Sequence, residues 1–475
     1  MNKSTLISVF IALICCALSV YLHETNLFYL EKQKGSKQTL ISTADEASYI
    51  RPPQNWLEGK DWKDSSVGNS AYVQRPPGYG LIFLFCKIIS PNQPLIILKF
   101  LQILAFFVSI ILFQKIIYLT TNNIKIALTF TAIYGLLPCY SGFMYYTLTE
   151  AVSPFFLLLL THSFLQVLLK EKPPYLFVLT LMFFLILRPQ LMIFPILYVL
   201  FLLSKNYSKW WVYLIGFLPF FIWQIRTYTI TNEISIHPIY SYTNKSVFRP
   251  PHQSLTNLFR VWEYKSDRFH NIVGLLARDT SKNNLYNALK NIPDKYQKEV
   301  LPTLRAYQKV VFYQKKAFKE EKTLTALPIE LSFTTKTDQL AKNLFLSNPI
   351  DAVILTPIKS GIELFKKSHL NLWVFQKEWR GNVFNELLRW ICLLVIILSF
   401  ITVIPFLFIK PFPKYIKLVF IGVLLSVFYL VWIQRLNEER YMTPLLPIML
   451  ICLAVASSTL FNKTTQLDRK SIKGK

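Results

Sequence analysis

Charge is scarce in this chain. Only 16% of its 475 residues are Asp, Glu, Lys or Arg, whereas a soluble domain carries roughly 25%. That is too little to coat a water-exposed surface. Acids are scarcer still, with 26 Asp and Glu against 52 Lys and Arg for a formal net charge of +26. Each carboxylate beside an apolar run therefore has few rivals for chemical work. The six cysteines, Cys15, Cys16, Cys86, Cys139, Cys392 and Cys452, all lie in or beside apolar runs. That placement supports neither a disulfide framework nor a cysteine metal site. His237, His252, His270 and His369 lie in polar sequence without H-x-x-x-H spacing, so they nominate no metal centre. A G-x-S-x-G elbow, a P-loop and a Rossmann fingerprint are all missing. No basic-aromatic recognition module accompanies the positive charge, which argues against nucleic acid.

What the chain has instead is apolar length: 53% of its residues are hydrophobic and 15% aromatic. Continuous apolar runs approach the ~20 residues that a helix needs to cross a bilayer. Their continuity, without period-two alternation, excludes a transmembrane barrel. The expected class is an all-α polytopic membrane protein. The first run, Thr5 to Leu22, lacks a small-x-small cleavage site and reads as an uncleaved span. Further spans are expected at 95–119, 124–139, 148–169, 174–188, 190–204, 209–228, 386–409, 415–433 and 442–461, about ten in all. The short runs meeting at Arg188-Pro189 suggest a tight hairpin, and Gly80–Ile89 an interfacial helix.

Three parts follow: an N-terminal membrane module (1–228) with an external loop (24–94), an external helical region (229–385), and C-terminal spans with a basic tail (386–475). In the middle part Asn283–Lys322 reads as amphipathic helix, and Leu340–Phe365 as a surface-lying piece broken by Pro349 and Pro357. With the N-terminus inside, alternation puts Lys170–Lys172, Lys205, Lys209, Lys410, Lys414, Lys417 and the basic tail in the cytoplasm. Short basic loops belong there. The same alternation puts Asp45, Arg75, Glu150, Arg188, Arg226 and Arg440 at the outer ends of spans.

Those residues are the candidates for chemistry. Asp45 and Glu46 form an acid pair just past the first span, and Arg75 precedes Pro76-Pro77. Arg188, Arg226 and Arg440 sit where apolar runs emerge. Snorkelling to headgroups accounts for any one of them, but several on one face suit phosphate, which guanidinium binds bidentately. Glu150, at a span start, equally suits the helix N-terminus.

This pattern resembles a family. Asp45-Glu46 with Tyr49, Asn55-Trp56-Leu57 and Gly59, then Arg75-Pro76-Pro77-Gly78-Tyr79, looks like the first external loop of the GT-C glycosyltransferases. The type is that of the protein O-mannosyltransferases and the lipid A aminoarabinose transferase. Thr149-Glu150, Leu187-Arg188-Pro189, Trp223 with Arg226, Asn348-Pro349 and Glu439-Arg440-Tyr441 extend the resemblance along most of the chain. It implies a catalytic carboxylate at Asp45 and a donor-phosphate contact at Arg75. Glu46 is expected to support Asp45, and Arg226, Arg440 and Arg188 are the further phosphate candidates. Tyr49, Tyr441 and Glu150 are further candidates. Two departures stand out. Pro52-Pro53 falls where the family continues a surface helix, and Gln74 stands where some members place an acid that helps hold a metal. A divalent metal ion therefore stays open.

The expected activity is transfer of a sugar from a polyprenyl-phosphate donor to a lipid, glycan or protein acceptor, on the external face of the cytoplasmic membrane. Membrane lipids are the expected surroundings. A lipid-linked glycan flippase and a non-catalytic scaffold remain as alternatives.

Overall fold

The computed structural model describes residues 3–473 apart from 36, 44, 63–74, 232–249, 264, 279, 320–327, 367–381, 409–412 and 435–437. Among the described residues the chain is helical, with one isolated parallel bridge, Ile41 to Tyr146, and no strands. Helix α1 (Lys3–Lys34) opens the chain, followed by α2 (Ala47–Leu57), α3 (Gly78–Ile89), α4 (Pro94–Thr121), α5 (Ile124–Leu136) and the single turn α6 (Pro138–Ser141). Next come α7 (Ser153–Lys170), α8 (Tyr175–Leu187), α9 (Ile193–Ser204) and α10 (Trp210–Thr231). A polar group of helices follows: α11 (Pro250–Phe259), α12 (Ser266–Arg278), α13 (Lys282–Leu289), α14 (Asp294–Lys319) and α15 (Pro328–Ser347). A π-turn (Ile350–Leu355) leads into α16 (Thr356–Lys366), and α17 (Val383–Phe408), α18 (Lys414–Phe428) and α19 (Leu446–Lys473) complete the chain.

The local chemistry explains many of the boundaries. Asn123 caps α5 by accepting from the Lys125 and Ile126 amides, and Pro94, Pro138 and Pro154 stand in first turns, where a missing N–H costs nothing. Asn122 and Glu171 end α4 and α7 in the left-handed conformation. Pro52 and Pro53 lie inside α2 without breaking it. Both are buried, so packing offsets the backbone hydrogen bonds they remove.

Five helices are long and apolar enough to cross a membrane: Leu6–Lys32, Pro94–Thr121, Ser153–Lys170, Val383–Pro405 and Lys414–Gln434. Gly78–Ile89, Ile124–Leu136, Tyr175–Leu187, Ile193–Ser204 and Leu446–Thr459 are apolar but shorter. Of the ten spans expected, then, five coincide with helices that are both long and apolar enough, among the described residues. The Arg188-Pro189 junction is not a hairpin folded on itself: α8 packs on α7 and α10, while α9 packs on α18 and, through Tyr198, on Thr161 and Phe164 of α7. Helix α3 buries Tyr79, Phe83 and Cys86 and leaves Leu81, Phe85 and Ile88 exposed, as an interfacial helix does.

Two cores result. One joins α1–α10 to α16–α19 and is built from residues such as Phe113, Tyr134, Phe164, Phe184, Val423 and Met449. The other lies within α11–α15 and the π-turn, around Leu258, Trp262, Tyr296, Leu304 and Ala352. Two close approaches set the frame of the site. At Gly78 a Cβ would stand 2.6 Å from the Leu187 Cα, so only glycine lets the start of α3 touch the end of α8. At the bridge, Ile41 N–H donates to the Tyr145 carbonyl at 2.8 Å, which fixes the segment before Asp45 against the segment before Glu150.

Candidate functional site

These approaches bring five chain segments together at one end of the apolar bundle, the fifth being the Leu187–Gln190 junction after α8. Asp45 precedes α2, Arg75 precedes α3, Glu150 lies in a 3-10 turn ahead of α7, and Arg440 lies in a 3-10 turn (Glu439–Met442) between α18 and α19. They line a small cavity, open at its mouth, together with Tyr49, Pro76, Thr149, Arg188, Gln190 and Tyr441.

Asp45 is its centre. Its Oδ1 pairs with Arg75 Nη2 at 2.7 Å, and its Oδ2 accepts from Arg440 Nη1 at 2.5 Å. Burial opposes the carboxylate charge, but Arg75 and Arg440 outweigh it and hold the Asp45 carboxyl below its ordinary value. Arg75 also lies 5.2 Å over the Tyr49 ring and reaches Ser48 Oγ through Nε at 3.3 Å. Pro76 limits the backbone of Arg75 to extended forms, which helps hold this pose. The other side of Arg440 faces Glu438: Nε and Oε2 stand 2.6 Å apart, an ion pair without hydrogen-bond alignment.

A second pair lies beneath the first. Arg188 Nη1 meets Glu150 Oε1 at 3.0 Å and also donates to Thr149 Oγ1. With side chains only 6% and 3% exposed, each of these two charges depends on the other. Burial opposes ionisation of Glu150 too, yet Arg188 and then Arg440 keep its carboxyl below the ordinary value. Tyr441 stands between the layers, with Arg440 at 5.0 Å and Arg188 at 5.6 Å from its ring. The result is alternating carboxylate and guanidinium around an aromatic ring.

The structure thus gathers Asp45, Tyr49, Arg75, Glu150, Arg188, Arg440 and Tyr441 around one cavity, and Glu46 and Arg226 lie outside its wall. Glu46 accepts from Thr147 Oγ1 at 2.9 Å, which ties the start of α2 to the Glu150 segment. Arg226 donates to the Trp62 carbonyl at 3.0 Å and stacks 4.6 Å over Trp223. Gln74, His237 and His369 lie outside the described residues, while His252 faces the Tyr307 hydroxyl at 3.4 Å and the Phe269 ring.

Both oxygens of Asp45 face guanidinium groups, and the described residues contain no group of three or more His, Cys, Asp or Glu side chains that could hold a metal ion.

Several contributors were not singled out from sequence. Glu438 is one. Another is the cluster behind the Ser141–Thr149 loop, where Glu24 pairs with Lys99 at 2.5 Å and accepts from Tyr145 Oη at 2.7 Å. His23 stacks on Tyr145 and contacts the Ser141 carbonyl at 2.8 Å. The usable signal was polar side chains near the end of an otherwise apolar span, which are costly in hydrocarbon and so rarely idle.

No protein-family model and no curated protein matches the chain. Solved structures to which it is similar include an oligosaccharyltransferase and ArnT. The oligosaccharyltransferase is from Archaeoglobus fulgidus, at 12% identity and TM-score 0.49, over 98% of this chain and 52% of that one. This chain therefore spans about half the length of that enzyme. The other is ArnT from Cupriavidus metallidurans bound to undecaprenyl phosphate, at 9% identity and TM-score 0.34, over 96% of this chain and 79% of that one.

Proposed function

We propose that this protein transfers a sugar from a polyprenyl phosphate to a lipid, glycan or protein acceptor at the external face of the cytoplasmic membrane. The observation that carries the reading is the double pairing of Asp45 with Arg75 and Arg440 in a cavity at the end of apolar helices. A lipid phosphate lies at that depth of a bilayer, and guanidinium is the side chain suited to hold it.

Donor phosphate competes with Asp45 for the two guanidinium groups. As it draws them away, Asp45 loses the charges that depress its basicity. Donor binding thereby turns an ion-paired carboxylate into a proton acceptor. The acceptor heteroatom attacks the anomeric carbon, the bond from that carbon to the phosphate oxygen breaks, and its electron pair leaves with the phosphate. The acceptor proton passes to Asp45. One base is enough for this single inverting displacement. Arg75 and Arg440 stabilise the charge growing on the departing phosphate. Glu150 and Arg188 neutralise each other and hold Tyr441 and Arg440 in register from below.

Binding of undecaprenyl phosphate to the purified protein in detergent tests this directly. Wild type binds it, and Arg75→Ala with Arg440→Ala binds it at least tenfold more weakly, on the order of a single lost charge-assisted contact. Equal affinity in the double variant would remove the arginines from donor recognition and leave a scaffold reading standing.

A further inference from the structure

The π-turn Ile350–Leu355 and α16 form one continuous helical run that joins the two cores. Ala352, near its start, is fully buried in the polar helices, and Thr356 Oγ1 donates to the Val261 carbonyl at 3.2 Å. Leu364, near its end, is buried in the membrane core, and the Phe365 ring lies 4.2 Å from that of Phe400. Phe400 is well past the middle of α17, so the run descends along a membrane-crossing helix. Its inner face is covered: Gly361 lies against Val431, and the Trp432 indole donates to the Val353 carbonyl at 3.0 Å.

Its outer face is not. Ile350, Ile354, Ile358 and Ile362 recur every fourth residue, with Val353 and Leu355 beside them, and all are exposed. Helical neighbours at this spacing share one side, so the isoleucines form a ridge. Polar groups mark its upper end, where Asp351 pairs with Lys295 and accepts from Tyr296. Lys359, exposed beside Ile358, has a stem long enough to reach headgroups. The run packs on α17 and on the π-turn after α18, where Leu387, Leu394, Leu398 and Ile433 are likewise exposed.

We infer that this ridge is immersed in the hydrocarbon of the bilayer leaflet nearest the Asp45 cavity, making the run a membrane-inserted foot of the polar helices. An aqueous surface does not suit a contiguous branched-aliphatic stripe. Its packing along two helices long and apolar enough to cross a membrane selects lipid as the occupant over a protein partner. The foot fixes the height of α11–α15 above the bilayer. It also braces the π-turn Tyr429–Gln434, where Arg260 holds the Gln434 carbonyl at 3.2 Å a few residues before Arg440.

The test uses the full chain in vesicles of phosphatidylethanolamine and phosphatidylglycerol. Single cysteines at Ile350, Ile354, Ile358 and Ile362 carry nitroxide labels; the native cysteines are buried. Leu398, exposed on α17, is the lipid reference, and Tyr286, exposed on α13, is the water reference. Line broadening by oxygen is expected to exceed that by a water-soluble nickel chelate at Ile354, Ile358 and Ile362, approaching the ratio at Leu398, with Ile350 intermediate. Nickel-dominated broadening like that at Tyr286 would overturn the inference. So would spin–spin broadening or labels shielded from both reagents, which would mean that a second copy or another protein covers the ridge.

Discussion

Arg440 reaches Asp45 across 395 residues of sequence, with Nη1 2.5 Å from Oδ2, while Arg75 holds the other carboxylate oxygen. One small side chain therefore links the segment after the first span to the turn before the last helix. The link is also electrostatic: each guanidinium steadies the carboxylate, and in the proposed function each would take the donor phosphate instead. Four expectations test this arrangement and the frame around it.

The buried pair below the site is a stability element. Arg188→Leu leaves Glu150 charged and nearly fully buried without its partner. Removing one member of such a pair costs about 3–5 kcal/mol, so thermal unfolding in detergent should shift sharply downward. Glu150→Gln with Arg188→Leu should recover much of the loss. A single variant as stable as wild type would mean the pair is not buried in the protein as it exists in detergent.

Asp45 should set the acid limb of activity. Its ionised form is held below the ordinary carboxylate range, chiefly by Arg75 and Arg440 against the cost of burial. Activity that needs this carboxylate is present above its pKa and is lost as pH falls through it. Removing Arg75 raises that pKa, so Arg75→Gln should lose activity at a higher pH than wild type as the solution is acidified. In the profile of kcat/KM, which reports the enzyme before donor draws the arginines away, an unmoved acid limb would show that another group titrates. Arg75→Lys should lie between the two, because charge survives while the planar fork does not.

The site is proposed to face outward. Thr335 and Asn206 are both exposed and lie in segments expected on opposite sides. An impermeant thiol reagent applied to intact cells should label cysteine at Thr335 and not at Asn206. Labelling at Asn206 without permeabilisation would reverse the topology and with it the external site.

Much of this was legible in sequence where composition and chain position carry the information. Low charge and long apolar runs specify a helical membrane protein, and Asp45, Arg75, Arg188 and Arg440 stand out as ions beside hydrocarbon. Sequence could not tell which span ends converge. Arg226 and Arg440 look alike, each an arginine where an apolar run emerges, yet only Arg440 lines the cavity, while Arg226 holds the Trp62 carbonyl. Glu438 was passed over because an acid next to Glu439-Arg440 reads as local charge, and its approach to the far side of Arg440 depends on the turn geometry. Apolar runs also do not report where a helix is broken. Tyr175–Leu187 and Ile193–Ser204 are separated by a 3-10 turn, so neither reaches full crossing length.

The central claim is that Asp45 takes part in chemistry while the arginines bind donor, and Asp45→Asn separates the two. The amide keeps the volume, cannot accept a proton at neutral pH, and no longer competes by charge for Arg75 and Arg440. Purified in detergent, this variant should bind undecaprenyl phosphate at least as tightly as wild type, while release of polyprenyl phosphate from a polyprenyl-phosphate sugar falls by ~10²–10⁴-fold, the usual loss for a positioned base. Turnover at the wild-type rate, or loss of donor binding in parallel with turnover, would contradict the account.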